Sequence, residues 1–218
     1  MASRSTLRTW IRTLLGADAD DPAFSDDVLN PIVQQAADSI VSAILRTNPG
    51  YLSKTATLLP DAGSRRTYTF ATQSTPVTDF GHWLEVRYDN DDGLQLTEAR
   101  LDELRDAGPD YFAITGPDEA AVLVTSPGSR GAAPIWIRYG YWPAPMTDDN
   151  AAPGGIPERF HDVVALEALF AFGLGGEQAK PRELHDRWID RKAELLAHVS
   201  RRGVQPSRTR VYLDPMGF

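Results

Sequence analysis

Cysteine is absent from the chain, and lysine is scarce. Without cysteine the protein can form neither a disulfide framework nor a thiolate metal site, and it has no thiol nucleophile, which fits folding in a reducing cytoplasm. Only Lys54, Lys180 and Lys192 are lysines among the 22 basic residues, so arginine carries most of the positive charge. The formal net charge is -8, so the whole chain should repel nucleic acid unless positive charge is concentrated locally.

A long hydrophobic run is also missing. The longest run, residues 163–174, is interrupted by Glu167 and Gly173, and it is shorter than the roughly 20 apolar residues that cross a bilayer. We therefore expect no membrane span and no membrane partner. With 218 residues, 42% hydrophobic and 24% charged, the chain has room for one large globular domain or for a domain with an inserted module.

Hydrophobic periodicity predicts helices at both ends of the chain. A short first helix ends at Gly16, and a longer second helix follows Ser25 as its N-cap and ends at Asn48. A third helix covers residues 158–172 and is apolar around most of its circumference. We expect it to be buried, either in a monomer core or between subunits. A fourth, charged helix runs from about residue 181 to residue 199.

The middle of the chain has the pattern of short strands. Turn residues separate β-rich segments at 66–72, 82–88, 111–115, 120–125 and 134–139. One short helix is predicted among them, from Thr97 as N-cap to Gly108. The expected fold class is therefore α+β, with a core of about four helices, an inserted small β-rich module and an extended C-terminal arm. The predicted boundaries are 1–54 for the N-terminal core helices, 55–142 for the module, 143–199 for the linker and C-terminal core helices, and 200–218 for the arm.

The arm is predicted to dock on a partner. Pro206, Pro215 and the lack of helical periodicity favour an extended chain, yet apolar residues stand between its arginines. Such a segment suits strand addition or groove docking on an acidic partner, and the alternative is a flexible, solvated tail. The residues expected to make the contact are Arg201, Arg202, Arg208, Arg210, Val211, Tyr212, Leu213, Met216 and Phe218.

Three places in this order of elements resemble the head-to-tail adaptor family of tailed bacteriophages, also called head-completion or connector proteins. The first is Leu14-Leu15-Gly16, an acidic spacer, and Phe24-Ser25-Asp26 before a long helix with Asn30 and Ala36. The second is residues 139–142, then Pro145-Met146-Thr147, a spacer, and Ile156-Pro157-Glu158-Arg159-Phe160-His161 opening an apolar helix. The third is the charged last helix followed by the arm. The resemblance covers the helical framework and rests on order and spacing.

The resemblance implies a structural protein of the virion neck, made in the host cytoplasm, with no catalytic residue, cofactor or metal. Its subunits would form a ring of about twelve copies under the portal protein, with the arm reaching into the portal and a tail or stopper protein on the other side. Genomic DNA would pass through the lumen without sequence-specific binding. Within the ring, four residues are expected to pack between subunits: Phe160, Val164, Phe170 and Trp188.

Other candidate sites favour structural interpretations. Asp89, Asp91, Asp92 and Gly93 do not match the ligand positions of an EF-hand, and we interpret them as a hairpin turn. The glycine-rich residues 173–176 follow a helix and not a strand, so they indicate a helix end and a hinge.

Two further groups of side chains also favour structural interpretations. His161 with Glu158 and Asp162 lacks the spacing of a metal site. An aromatic group could bind a sugar or a base, although strand alternation places half of it in the core; it comprises Trp136, Tyr139, Tyr141 and Trp142, with Arg138 nearby.

Two other functions remain open. One is another neck or tail component, such as a stopper or a tail terminator. The other is a soluble enzyme or a carbohydrate-binding accessory that uses the β-rich module. Against an enzyme, the chain has no Gly-x-Ser-x-Gly elbow and no convergent acid/base or metal motif.

Overall fold

The computed structural model describes residues 2–89, 93–116, 120–127, 129–130, 133–171, 173 and 182–202. These described residues form four α-helices and seven β-strands, which confirms the predicted α+β class. The helices are α1 (Arg4–Leu15), α2 (Asp26–Thr47), α3 (His161–Phe170) and α4 (Arg182–Arg202).

The ends of α1 and α2 follow from local sequence. The Ser3 side chain caps α1 by accepting a hydrogen bond from the backbone N–H of Thr6, and Gly16 ends the helix in the left-handed conformation at φ 64°. Ser25 stands at the N-cap of α2, as predicted, but its side chain makes no capping hydrogen bond. Asp26 and Asp27 instead place negative charge at the positive end of this helix dipole.

Helix α3 lies at the centre of the helical core and packs against α1, α2 and α4. Eight of its ten residues are buried, so the prediction of an all-round buried helix is confirmed. The surrounding apolar residues come from α1, α2, the linker before α3 and the second half of α4, where Leu195 and Val199 are fully buried. Burial of this helix is therefore complete within one chain.

Among the described residues, only the segment Pro22–Thr47 is long and apolar enough to cross a membrane. The same length and composition are found in the core helix of a folded domain. Its apolar residues Leu29, Val33, Ile40 and Ile44 are fully buried in the helical core.

The β-rich module lies between α2 and α3 and contains two sheets. Its strands are β1 (Ser53–Leu58), β2 (Thr67–Thr69), β3 (Phe80–Tyr88), β4 (Thr97–Glu98), β5 (Tyr111–Thr115), β6 (Val122–Thr125) and β7 (Ile135–Tyr141). The first sheet has the order β1-β7-β3 and is antiparallel. The second has the order β2-β6-β5-β4, with β4 parallel to β5. A second hydrophobic cluster, built on Tyr68, Phe70 and Phe112, fills the module.

The prediction of a short helix from Thr97 to Gly108 is wrong. Thr97 and Glu98 form β4, and the N–H groups of Thr97 and Ala99 bond to the carbonyls of Asp110 and Phe112 at 2.9 and 2.8 Å. Residues 101–107 are turns and not a helix. Strand pairing takes the N–H groups of the supposed first turn, and the remaining segment is too short to offset the cost of helix nucleation.

Two other differences from the predicted strands are larger than two residues at an end. The segment 66–72 is a strand only at Thr67–Thr69 and continues as a 3₁₀ turn at Phe70–Thr72. Strand β1 was not predicted, because its sequence Ser-Lys-Thr-Ala-Thr-Leu is mostly polar. This strand lies at an edge of its sheet, where polar side chains are common.

Candidate interaction surfaces

The predicted arm begins inside a helix. Helix α4 continues to Arg202, so the first residues of the predicted arm, with Arg201 and Arg202, are helical. The last turn of α4 continues because helix-compatible residues with no proline or glycine reach as far as Arg202. The other predicted arm residues lie outside the described part of the chain: Arg208, Arg210, Val211, Tyr212, Leu213, Met216 and Phe218. Docking by the arm stays a prediction.

The four residues expected between subunits divide into two pairs. Phe160 and Val164 are fully buried in the core of the single chain, and a role for them in subunit packing stays a prediction. Phe170 and Trp188 are half-buried and stack with ring centroids 5.5 Å apart. Their role in subunit packing is untested.

A buried carboxylate ties together three helices. Glu167 of α3 is 1% exposed and accepts hydrogen bonds from Ser39 of α2 at 2.7 Å, from Trp188 of α4 at 2.8 Å, and from Lys192 of α4 at 2.9 Å. These donors compensate the cost of burying the charge. In the sequence, Glu167 is recognisable only as an interruption of an apolar run. Its position in that run, with one of the three lysines in the following helix, was the available signal.

A second ion pair fixes α4 to the start of α3. The guanidinium of Arg191 donates to both oxygens of Asp162, at 2.8 and 3.0 Å, and to Glu194 at 2.6 Å. The hydrogen bond to Asp162 raises the pKa of Arg191. The same guanidinium lies over the ring of Phe160, 5.0 Å from its centroid. Asp162 is therefore a structural partner of α4.

The arginines of α1 are paired with acids from distant parts of the sequence. Arg8 is 4% exposed and donates to Asn30 at 2.6 Å and to Asp149 at 2.8 Å. The hydrogen bond to Asp149 raises the pKa of Arg8, and the same bond lowers the pKa of Asp149. Arg12 and Arg8 both contact Asp26. Hydrophobic periodicity predicts the amphipathic helix but not these long-range partners.

His161 has a structural role in the helical core. Its Nδ1 accepts a hydrogen bond from the backbone N–H of Ala2 at 3.2 Å, and its Nε2 donates to the carbonyl of Ile156 at 3.0 Å. With both ring nitrogens occupied, His161 has no lone pair for a metal ion. The ring instead joins the beginning of the chain to the linker before α3.

The aromatic group of β7 is divided by strand alternation. Tyr139 is buried, and its hydroxyl donates to Asp79 at 3.2 Å. Trp136 lies on the opposite face under the guanidinium of Arg87, 4.1 Å from the ring centroid, and Tyr141 lies under Lys54. Only Trp142 is exposed, at 43%. These rings do not form a shared platform.

The Asp-Gly segment after β3 is a chain reversal. The N–H of Tyr88 bonds to the carbonyl of Leu94 at 3.0 Å, and that of Leu96 bonds to Val86 at 2.9 Å, so the chain folds back antiparallel on β3, as predicted. Asp89 accepts from the hydroxyl of Thr57, while Asp91 and Asp92 lie outside the described residues. Gly173 is left-handed at φ 69°, three residues after the end of α3, and residues 174–176 also lie outside the described residues.

These observations define a two-part α+β protein with interhelical ion pairs, and among its described residues no group of three or more His, Cys, Asp or Glu side chains could hold a metal ion. A family model described as SU10 adaptor protein matches residues 4–211. The match spans the helical core and the module, and the chain belongs to the SU10 adaptor protein family. No match was found among curated proteins.

Membership confirms the resemblance to phage head-to-tail adaptors. The chain is a phage adaptor, a structural protein and a component of the virion. The family is not a known enzyme family.

Proposed function

We propose that this protein joins the portal to the tail or stopper protein in the phage neck, as a ring of about twelve copies through which genomic DNA passes. The observation that carries the proposal is the family match over residues 4–211. The net charge of -8 agrees with a lumen that does not retain DNA, because phosphate binding needs concentrated Lys or Arg. Synthesis takes place in the host cytoplasm, and assembly places the protein in the neck.

Contact with the portal is made by the C-terminal segment. The second half of α4 is fixed on the helical core, because Leu195 and Val199 are fully buried and the Asn48 amide donates to the carbonyl of Val199 at 3.1 Å. The helix that precedes the segment 203–218 is therefore held on the core, and its Arg201 is exposed. Its arginines and apolar residues suit an acidic groove on the partner.

Contact between subunits is made by the outer face of the helical core. A mostly apolar pocket of about 230 Å³ opens between α1, α3 and α4, and its lining residues are Trp10, Thr13, Leu14, Asp162, Ala165, Leu166 and Arg187. Of these lining residues, Trp10 is 37% exposed. Exposed aromatic and aliphatic side chains around a pocket are typical of protein interfaces.

Removal of residues 203–218 tests the portal contact, since it leaves α4 intact. We expect the truncated protein to keep the circular dichroism spectrum of the full chain but to lose binding to the purified portal, measured as the native mass of the mixture. The full chain should join the portal in a fixed, symmetric stoichiometry. A full-length variant with Arg208→Gln and Arg210→Gln should bind the portal more weakly than the full chain but more strongly than the truncated protein. Retention of portal binding by the truncated protein would contradict the proposal.

A further inference from the structure

The β-rich module contains a pocket that the adaptor function leaves unexplained. It lies between the turn segment 101–105 and strand β6, with a volume of about 450 Å³. Two arginines, one hydroxyl and four apolar residues line it: Arg66, Arg105, Thr125, Leu101, Leu104, Val124 and Pro127. This mixture of positive charge and apolar surface differs from the mostly apolar pocket on the helical core.

Both arginines of this pocket are unpaired. In the part of the chain that the structure describes, neither the Arg66 nor the Arg105 guanidinium has a hydrogen bond or an ion pair, and both residues are exposed. On the helical core, by contrast, Arg4, Arg8 and Arg191 all hold carboxylates. Each guanidinium has five N–H donors. Two of them at one pocket therefore present a set of donors with no acceptor in the chain.

Thr125 gives a second, independent sign of a missing ligand. It is 1% exposed, and its hydroxyl oxygen has no hydrogen-bond partner among the described residues. A buried hydroxyl without a partner is costly, and such groups are rare in folded proteins. Because Thr125 is one of the residues that line the pocket, an oxyanion bound there would give this hydroxyl an acceptor.

The apolar wall restricts the class of ligand. Leu101 is 55% exposed at the edge of the pocket, so an occupant with an apolar group beside its anion would cover it. The exposed acids Asp102, Glu103 and Asp106 lie on the same turn segment. They disfavour a polyanion such as nucleic acid, which would bring many phosphates close to them. A single carboxylate next to an apolar side chain brings only one negative charge near these acids, so it meets less repulsion.

We infer that this pocket binds an acidic segment of a partner protein, in which an Asp or Glu side chain adjoins an apolar one. The carboxylate accepts from Arg66 and Arg105, a geometry in which guanidinium groups are strong partners, and the adjacent apolar side chain packs on Leu101 and Leu104. This assigns the module a docking role of its own. The inference does not depend on the portal contact, because it involves a different part of the chain.

Two matched small probes test this inference on the full-length protein. The first is N-acetyl-leucyl-glutamyl amide, and the second is the glutaminyl analogue, which has the same shape without the charge. Binding is followed by amide chemical shifts in NMR spectra. We expect the glutamyl probe to shift the amides of Val124 and Thr125, and the glutaminyl probe to bind about tenfold more weakly, because a charge-assisted pair is lost.

Variants locate the site and control for folding. Arg66→Gln and Arg105→Gln should each weaken the glutamyl probe about tenfold, whereas Arg65→Gln, at an exposed arginine that does not line the pocket, should leave binding unchanged. Thr125→Val preserves the shape of the side chain and should also weaken binding. Spectra of the free variants show whether the fold is retained.

Three results would overturn the inference. The first is equal binding of the two probes, and the second is no shift at the pocket with either probe. The third is tighter binding of a short DNA duplex through Arg66 and Arg105, which would make the pocket a phosphate site. A truncated protein that still binds the portal would contradict the proposed function and leave this result unaffected.

Discussion

The helical core and the β-rich module use different polar groups to fix their parts. In the helical core, buried charges join helices that are far apart in sequence: Glu167 holds α2 and α4, and Arg8 contacts α2 and the linker before α3. In the module, the hydroxyls of two buried tyrosines perform a similar task as uncharged donors. Tyr68 donates to the carbonyl of Ala133 at 2.8 Å, and Tyr139 donates to Asp79 at 3.2 Å.

The difference follows from the secondary structure. Helices satisfy their backbone groups internally, so side chains alone fix one helix against another. Strands are already joined by backbone ladders such as β1·β7 and β3·β7, so fewer buried charges are needed to fix one strand against another. A core fixed by buried charges and a module fixed by backbone ladders and tyrosine hydroxyls should respond differently to mutation and to pH.

The largest effect is expected from Glu167→Ala. This change leaves the Lys192 ammonium, the Trp188 N–H and the Ser39 hydroxyl without their buried acceptor. We expect the free energy of unfolding to fall by about 3–5 kcal/mol, as for other buried ion pairs that lose one partner. Urea unfolding followed by circular dichroism measures it.

Two variants control this measurement. Glu183→Ala removes an exposed acid from the first turn of α4 and should change stability by less than about 0.5 kcal/mol. Glu167→Gln keeps the shape and should have an intermediate effect. A loss below about 1 kcal/mol for Glu167→Ala would show that the helical core does not depend on its buried charge.

An intermediate effect is expected in the module at alkaline pH. Burial raises the pKa of Tyr68 to about 12, and burial together with Asp79 raises the pKa of Tyr139 to about 12. Because the folded pKa lies above the ordinary value of 10.0, the stabilisation is complete below pH 10 and is lost as the pH rises toward 12.

Tyrosinate absorbance and unfolding measured over this range test that expectation. Tyr139→Phe should remove one late-ionising phenol and reduce the alkaline loss of stability. Tyr51→Phe, at a half-buried position on the helical core, is the matched control. Ionisation of Tyr68 and Tyr139 near the ordinary pKa of 10.0 would contradict their raised pKa values.

The smallest effect is expected at acid pH on the surface of the helical core. The hydrogen bond from Arg8 lowers the pKa of Asp149 below 3.8, so its stabilising contribution is complete above that value and is lost as the pH falls through the folded pKa. Wild type should be slightly more stable than Asp149→Asn at neutral pH, and the two should converge in acid. Asp20→Asn, at an exposed acid of the link before α2, should show no such convergence.

Periodicity predicted the helices well because the spacing of apolar residues along each helix reflects which of its faces is buried. The apolar stripe of α1 with Gly16, and the all-round apolar α3, were both recognisable from sequence and were found where predicted. The short helix at Thr97 failed because its first N–H groups bond to residues 110 and 112. Local pattern carries no information about such non-local pairing.

The candidate sites were less predictable for the same reason. Phe160 and Val164 were recognised as buried, but sequence cannot distinguish burial inside a chain from burial between chains. The pair Arg8–Asp149 and the pocket with Arg66, Arg105 and Thr125 bring together residues from separate elements. Only the folded chain shows that two of these arginines have partners missing from their surroundings.

The module enters and leaves the helical core at one place. Ser53 is paired with Gly140, and the N–H of Tyr141 donates to the carbonyl of Leu52 at 3.0 Å, so the two chain crossings are neighbours in an antiparallel ladder. An insertion of almost ninety residues, Ser53 to Tyr141, therefore leaves the helical core and returns to it at adjacent points, as a tight turn would. Changes of length or sequence within the module should therefore leave the helical framework and its ion pairs in place.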